Sequence, residues 1–129
     1  MRHTILAVAL VLALLSACVH SEEEKAKTPR TPRQVSEVTG IWRTLHQNTL
    51  ELREKGTYVL ITSVSKALAG DFSLEQDHIT FLNDDVCGGT SGTYRIQVAS
   101  EQKLLLSEPD DPCTLRRTQL TADPFVYAS

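Results

Sequence analysis

Few residues of this chain combine a reactive side chain with neighbouring residues at the spacing that a catalytic site requires. The sequence holds three cysteines and four histidines. A histidine base needs a nucleophile and an orienting group within reach, and we expect His46 and His78 instead to be surface residues beside turns. No nucleophile elbow, zinc-protease motif or glycine-rich phosphate loop occurs in the sequence. We therefore predict a protein that is not an enzyme and that binds no cofactor.

Carboxylates form the second group of chemically capable residues. Asp84 and Asp85 fall in one predicted loop, and Glu108, Asp110 and Asp111 fall in another. Converging oxygen ligands of this kind bind hard cations such as calcium. Aspartates in glycine-rich loops or before proline also satisfy backbone donors in turns. Turn chemistry is the favoured interpretation, and a cation site is the alternative; we predict no metal.

The N-terminus has the layout of a secretory signal. Arg2 and His3 precede an apolar run of about 11 residues, too short to span a bilayer. The sequence Leu15-Ser16-Ala17-Cys18 resembles the lipobox of bacterial lipoproteins. The resemblance implies that residues 1–17 are a signal peptide, that the Cys18 sulfur receives a diacylglyceryl group, and that the new amine is acylated, for example with palmitate. An ordinary secretory signal with a chance cysteine is the alternative.

Acylation of Cys18 leaves Cys87 and Cys113 as the remaining thiols of an exported protein. Exported thiols meet an oxidising compartment, where they pair. A metal site is disfavoured because no further histidine or cysteine lies within a few residues of either thiol. We predict a Cys87–Cys113 disulfide, which closes a loop of about 27 residues and stabilises the fold by roughly 3.5 kcal/mol.

Charge and composition exclude two classes of partner. The formal net charge is −3, and acidic and basic residues are interspersed. No basic stripe is present, so nucleic-acid binding is disfavoured, as is electrostatic docking onto anionic lipid headgroups. The segment 18–37 contains a glutamate run and two Thr-Pro steps. It is predicted to be a lipidated, flexible tether for a monomeric domain.

From Gly40 onward, short alternating runs separated by turn residues predict an all-β fold. We expect a single small eight-stranded antiparallel up-and-down barrel over residues 38–124, preceded by a signal helix and a disordered tether and followed by a tail, 125–129. A closed barrel leaves no unpaired edges. The predicted strands are Gly40–His46, Thr49–Glu54, Tyr58–Val64, Leu68–Leu74, His78–Leu82, Thr93–Ala99, Lys103–Ser107 and Cys113–Leu120.

Several motifs in this region resemble the lipocalin and calycin barrels, and small bacterial lipocalin-like domains more closely. They are Gly40-Ile41-Trp42, Gly56-Thr57-Tyr58, Ala67-Leu68-Ala69-Gly70, Cys87 before Gly92-Thr93-Tyr94, and Asp111-Pro112-Cys113 followed by Arg116. The resemblance implies that Gly40, Trp42 and Arg116 form a structural plug, with the guanidinium stacked on the indole. Arg117 takes that place if the strand register slips by one residue. The chain is shorter than a full lipocalin, and we expect no C-terminal helix.

An eight-stranded barrel either fills with its own side chains or holds one small ligand. We favour a filled interior. The predicted interior residues are Leu50, Leu52, Tyr58, Leu60, Phe72, Leu74, Ile79, Phe81, Tyr94, Ile96, Leu104 and Leu106.

The functional prediction is a membrane-anchored lipoprotein whose barrel binds a small apolar ligand or an envelope protein without catalysis. A periplasmic inhibitor of a hydrolase, lysozyme or protease, is the alternative. Val19 follows the lipobox cysteine where an inner-membrane lipoprotein would carry aspartate, so we expect the outer membrane, facing the periplasm or the cell surface. The predicted recognition loop contains Asp84, Asp85, Gly88, Gly89, Thr90 and Ser91. The same loop also provides the slack that a disulfide at Cys87 needs.

Overall fold

Eight strands pair in the order in which they occur along the chain and close into a barrel. The computed structural model describes residues 28–100 and 102–129. Every neighbouring pair is antiparallel, and the last strand pairs with both the seventh and the first. This confirms the predicted all-β class and the eight-stranded barrel. The elements are β1 Gly40–Arg43, β2 Thr49–Leu52, β3 Thr57–Ile61, β4 Ala67–Glu75, β5 His78–Leu82, β6 Gly92–Ala99, β7 Lys103–Asp110, α1 Thr114–Thr121 and β8 Phe125–Tyr127.

The interior of the barrel is filled by the alternating apolar residues of its strands. In β6, Tyr94, Ile96 and Val98 are buried while their neighbours are only half-buried, as a strand with one face on the core requires. All of the predicted interior residues are buried except Leu74, which is partly buried and packs against them. The rings of Tyr58, Phe81 and Tyr94 meet edge to face, with centroids 4.8 and 5.7 Å apart. Such contacts fix ring positions within a core.

The two ends of the barrel differ in what covers them. Because the strands alternate in direction, the connections 44–48, 62–66 and 83–91 meet at one end together with α1. We call this the loop end. The connections 53–56 and 76–77 meet at the opposite end, where residues 30–39 approach the barrel. We call this the tether end.

The predicted eighth strand, Cys113–Leu120, is wrong: this segment is the helix α1. Arg116 and Leu120 are buried, and Leu115 packs against the core. Arg116 and Leu120 are four residues apart and therefore share one face of the helix. In a strand, Leu115 and Leu120 would instead face opposite sides. The helix begins directly after Cys113, the N-cap residue, whose backbone is extended. A helix near the C-terminus therefore replaces the strand that we expected.

The eighth strand lies instead in the segment 125–129 that we predicted to be a tail. Phe125 is buried and pairs with Leu104 of β7, and Tyr127 pairs with Trp42 of β1. The chain end is held further because Ile41 donates its backbone N–H to the carbonyl of Ser129 at 2.7 Å. The barrel domain therefore extends beyond the predicted limit of residue 124.

Part of the predicted tether is folded against the barrel. Arg30 and Val98 exchange both backbone hydrogen bonds, at 2.9 and 2.7 Å, in an isolated antiparallel bridge. A 3-10 turn follows at Val35–Glu37, and Val38 is fully buried. Residues 30–38 therefore contact the barrel, although they fall largely in the segment predicted to be a tether. The predicted signal peptide, Cys18 and the tether up to residue 27 lie outside the described residues.

In the described part of the chain, no helix has the length and apolar character needed to cross a membrane.

Candidate functional site

A fully buried arginine lies beneath the loop end, bound by two aspartates from different loops. The Nε and Nη2 atoms of Arg116 donate to Oδ2 and Oδ1 of Asp111 at 2.7 and 2.8 Å, a bidentate pair. Nη2 also donates to the carbonyl of Thr90 at 3.0 Å, and Nη1 lies 3.5 Å from Oδ2 of Asp84. None of the three charged side chains is exposed to solvent. We call these groups, with the two tyrosines described next, the arginine cluster.

Two tyrosines from the barrel wall complete the cluster. The hydroxyl of Tyr58 donates to Oδ2 of Asp84, and that of Tyr94 donates to Oδ2 of Asp111. Burial, reinforced by the hydrogen bonds to these carboxylates, raises the pKa of both tyrosines. Burial alone would raise the pKa of Asp111, but hydrogen bonds from Arg116, Tyr94 and the Cys113 N–H lower it. The cluster therefore holds an ionised Asp111 beneath the loop end.

The predicted disulfide ties together the two loops that carry these aspartates. Cys87 and Cys113 are bonded, with their Cα atoms 5.4 Å apart, which confirms the predicted pair. Each bonded cysteine also donates its backbone N–H to the neighbouring aspartate, Cys87 to Asp84 at 3.1 Å and Cys113 to Asp111 at 2.9 Å. The covalent bond and the ionic cluster thus constrain the same two loops.

A glycine makes room for the cluster. A Cβ atom built on Gly92 would overlap the carboxylate of Asp111, including its Cγ and both oxygens. Asp111 cannot move aside without breaking its bonds to Arg116 and Tyr94. The Gly-Thr-Tyr sequence at the start of β6 therefore places Gly92 and Tyr94 on either side of one carboxylate.

The cluster is a support for the loops rather than a reaction centre. A catalytic group must reach a substrate, and the side chains of Arg116, Asp84 and Asp111 have no solvent exposure. Their carboxylate oxygens are committed to Arg116, two tyrosine hydroxyls and two backbone N–H groups. Within the described residues, no group of three or more histidines, cysteines or carboxylates is arranged to hold a metal ion. The turn interpretation of Asp84 and Asp111 is therefore incomplete, since both also bind a buried arginine.

The predicted plug of Gly40, Trp42 and Arg116 is wrong as a unit. Arg116 is held at the loop end by Asp111, whereas the indole Nε1 of Trp42 donates to the carbonyl of Val38 at 2.9 Å, toward the tether end. The ring that packs against Trp42 is Tyr127, edge to face at 5.3 Å. Arg117 does not take the place either, because its Nη1 donates to the carbonyl of Asp111 at 2.9 Å.

Gly40 and Trp42 nonetheless act together at the tether end. Gly40 has φ +139°, and a Cβ atom there would lie 2.6 Å from Cε2 of Tyr127. The missing side chain allows Tyr127 to reach the indole. Trp42 is only 3% exposed, and the ring that packs on it is that of Tyr127.

The helix α1 runs across the loop end and braces the loops around it. Near its start, Arg116 binds the carbonyl of Thr90 in the 83–91 connection. Near its end, Gln119 accepts a hydrogen bond of 2.8 Å from the side chain of Asn48, whose own Oδ1 accepts from the Ser63 N–H at 3.0 Å. One helix thereby connects all three loops of this end.

Among the large apolar side chains of the described residues, the three that are most exposed lie on those three loops. Leu45 is 89% exposed, Val64 is 72% exposed and Val86 is 56% exposed. They lie in the connections 44–48, 62–66 and 83–91, respectively. The other large exposed apolar residues, Ile61, Val126 and Tyr127, lie on strands and are each less than half exposed. Among the described residues, the exposure of apolar side chains is therefore greatest at the loop end.

The recognition loop predicted from the sequence covers part of the loop end. Within the predicted recognition loop, Asp85, Gly88, Gly89, Thr90 and Ser91 are exposed, but Asp84 is fully buried in the arginine cluster. Sequence reasoning missed Leu45, Val64 and Val86 as exposed tips. A detectable signal existed, because Leu45 and Val64 each stand between polar residues near the end of a predicted strand. It also missed Tyr58 and Tyr94 as partners of Asp84 and Asp111, for which local spacing offers no signal.

Three surface concavities lie outside the filled barrel. The largest of these three has a volume of about 900 Å³ and lies between the segment 30–33 and the β4–β5 turn, with Glu37 and Asp77 on its walls. The others border Thr39 and Gly40 near the tether end. All three are open to solvent, and charged side chains lie at the edge of each of them.

Comparison of the chain with protein-family models, with curated proteins and with solved structures finds no match.

Proposed function

We propose that this protein is a lipid-anchored, non-catalytic binding module that recognises another protein of the cell envelope through its outer surface. The observation that carries the proposal is the combination of a filled barrel with rigid, apolar-tipped loops at one end. The signal-like N-terminus and the resemblance of Leu15-Ser16-Ala17-Cys18 to a lipobox support a location in the cell envelope. Cys18, after removal of residues 1–17, is the proposed site of lipid attachment.

The filled interior favours a protein partner over a small apolar ligand. Leu50, Leu60, Ile79, Ile96 and Leu104 are each 0% exposed and occupy the barrel centre. A small-molecule site normally offers a cavity of about 300–1,000 Å³ lined mainly by apolar side chains. The concavities described above lie outside the barrel and are edged by charged residues. A ligand inside the barrel would have to displace core side chains.

The direction in which the chain leaves the barrel supports the same proposal. Arg30 is fixed to Val98 near the tether end, and the 12 residue steps from Cys18 to Arg30 span at most about 40 Å. An anchor at Cys18 would attach to the domain at the tether end. The loop end would then be free of the attachment and accessible to other envelope proteins.

A rigid loop favours inhibition of a hydrolase as the second candidate. Within the 83–91 connection, Gly88, Gly89 and Thr90 each donate a backbone N–H to a carbonyl of the same loop at 3.0–3.2 Å. The disulfide adds a covalent constraint. A loop fixed in this way resists displacement when it enters an active-site cleft.

Native mass spectrometry of the full chain, extracted from membranes of its own organism in mild detergent, tests the proposal. We expect a diacylglyceryl-modified N-terminus at Cys18 and a complex with a second protein, with no small molecule retained by the isolated barrel. The matched control, Cys18→Ser, should lose the lipid mass. A stoichiometric apolar ligand bound to the barrel would contradict the proposal, and inhibition of lysozyme or a protease at micromolar concentration would select the second candidate.

A further inference from the structure

The loop end carries an uneven charge distribution around its apolar tips. Asp85 is exposed directly beside Val86, and Glu108 and Asp110 are exposed at the end of β7. Asp85 lies two residues from Cys87 and Asp110 three residues from Cys113, so the disulfide links the segments that carry these carboxylates. By contrast, the exposed charges closest in sequence to Val64 and Leu45 are basic, Lys66 and Arg43. The side of the loop end around Val86 is therefore acidic.

We propose that the loop end is a docking surface for a protein that offers apolar pockets to Leu45, Val64 and Val86 and basic side chains to Asp85, Glu108 and Asp110. This inference rests on the proposed function and names its surface and the chemistry of the partner. The tips are anchors that fill pockets, and the acidic rim orients the partner and speeds its approach.

The loops are held in place before any partner arrives. The 44–48 connection is closed by a 3.0 Å bond from the Thr44 N–H to the Asn48 carbonyl, and the 62–66 connection by a 2.8 Å bond from Thr62 to Lys66. His46 binds Asp123 just beyond α1. A preorganised surface loses little conformational entropy on binding. The three tips are thus presented in a fixed arrangement.

Three other occupants fit this surface less well. The chain's own segment 19–27 is rich in charged residues and joins the barrel at the opposite end. A second copy, docked symmetrically through this surface, would bring two sets of the carboxylates Asp85, Glu108 and Asp110 into one interface. An anionic membrane would be repelled by these carboxylates. A basic, apolar protein surface satisfies both features of the loop end.

Site-specific photocrosslinking of the full chain in cells of its own organism tests the inference. A benzophenone amino acid replaces Leu45, Val64 or Val86, and the control positions are Lys55 at the tether end and Ser73 on the outer wall of β4, both exposed. We expect the three loop-end probes to give an adduct with the same protein, with crosslinked peptides that carry lysine or arginine near apolar residues. The control probes should give no such adduct.

Charge reversal then separates docking from chance proximity. With the crosslinked protein purified, Asp85→Lys combined with Glu108→Lys should weaken its binding at least tenfold, and Leu45→Ser should do the same. Wild-type affinity should fall as salt rises. Because all three positions are exposed, the variants should unfold at the wild-type temperature, so a loss of binding would not reflect a loss of fold.

The remaining outcomes each overturn the inference in a distinguishable way. An adduct with twice the mass of the chain would mean self-association. Co-sedimentation with phosphatidylglycerol vesicles that requires Leu45, Val64 and Val86 would mean a lipid surface. Adducts from Lys55 or Ser73 alone would move the interface elsewhere and leave the proposed function standing. Absence of protein adducts from all five positions would defeat both the inference and the proposed function.

Discussion

Asp111 binds the guanidinium of Arg116 with both carboxylate oxygens, and neither side chain is exposed to solvent. The pair joins the end of β7 to the helix α1 that follows it. Burying an arginine is costly unless its donors are satisfied. Here Asp111, Asp84 and the carbonyl of Thr90 satisfy them, while two tyrosine hydroxyls satisfy the carboxylates. The cluster takes the place that apolar packing would otherwise fill beneath the loop end.

Replacement of Arg116 by methionine is predicted to be among the most destabilising single changes in this domain. It leaves Asp84 and Asp111 buried without their cation, and breaking a buried pair in this way costs about 3–5 kcal/mol. We expect urea denaturation of the purified protein to show a loss of that size. Arg117→Met is the matched control: Arg117 is half-buried and donates one hydrogen bond to the Asp111 carbonyl, so its loss should cost about 1 kcal/mol. Equal losses from the two variants would contradict the role of the cluster.

Acid is predicted to weaken the domain through Asp111. The fold lowers the pKa of this carboxyl below its unfolded value of about 3.9. The resulting stabilisation is fully present above that unfolded value and is lost as pH falls through the lower folded pKa. Free energies of unfolding measured between pH 7 and pH 2 should therefore decline steeply below about pH 4.

Tyr94→Phe should make that acid dependence shallower. The substitution removes one of the hydrogen bonds that lower the pKa of Asp111 and keeps the ring that packs on Phe81. Asp110→Asn is the control, because its exposed side chain lies outside the cluster. An unchanged slope in Tyr94→Phe, or a reduced slope in Asp110→Asn, would assign the acid sensitivity to other groups.

Gly92→Ala is predicted to destabilise the domain although it adds one methyl group to a strand. The new Cβ would overlap the Asp111 carboxylate, so either β6 shifts or Asp111 leaves Arg116. We expect a loss of about 1–3 kcal/mol, measured as a lower urea midpoint. The neighbouring change Ser91→Ala, at an exposed position, should be within about 0.5 kcal/mol of wild type. A fully stable Gly92→Ala protein would mean that the cluster tolerates displacement.

The alternating pattern of the sequence was sufficient to predict the barrel and most of its interior. Tyr94, Ile96 and Val98 repeat every second residue and do point inward. The helix α1 was missed because its residues were assigned to the expected eighth strand. Leu115 and Leu120 would have faced opposite sides of such a strand. The short β8 was missed because only Phe125 of its three residues is buried. The alternation of apolar and polar residues therefore predicted strands in which it repeats several times. It failed for the short elements that close the barrel, α1 and β8.

The arginine cluster required contacts that sequence spacing does not reveal. The loop disulfide followed from the number of free thiols, and this prediction is confirmed. The partner of Arg116 was assigned through a family resemblance, which placed it on Trp42 at the wrong end of the barrel. Tyr58 and Asp84 are 26 residues apart, and only closure of the barrel brings them together. Long-range polar contacts depend on the final register of the strands.

Removal of the disulfide is predicted to lower stability more than loss of a single surface contact. The bond closes a segment with a sequence separation of 26, for which chain entropy gives roughly 3.5 kcal/mol. The double variant Cys87→Ser and Cys113→Ser, compared with wild type in urea, measures it. Because both cysteine N–H groups bind the cluster aspartates, we expect Arg116→Met to cost less in the double variant than in wild type. Additive losses would show that bond and cluster act independently.

Tyr127, rather than Arg116, is predicted to control the environment of Trp42. This tryptophan is the single one in the sequence, so intrinsic fluorescence reports on it alone. Its indole is 3% exposed and packs against the Tyr127 ring at 5.3 Å. Tyr127→Ala should open this contact to water and shift the emission to longer wavelength, with greater quenching by iodide. Arg117→Ala, which changes an arginine at the opposite end of the barrel, should leave the emission unchanged while the protein is folded. A shift of the emission in that control but not in Tyr127→Ala would indicate that an arginine, rather than Tyr127, lies beside the indole.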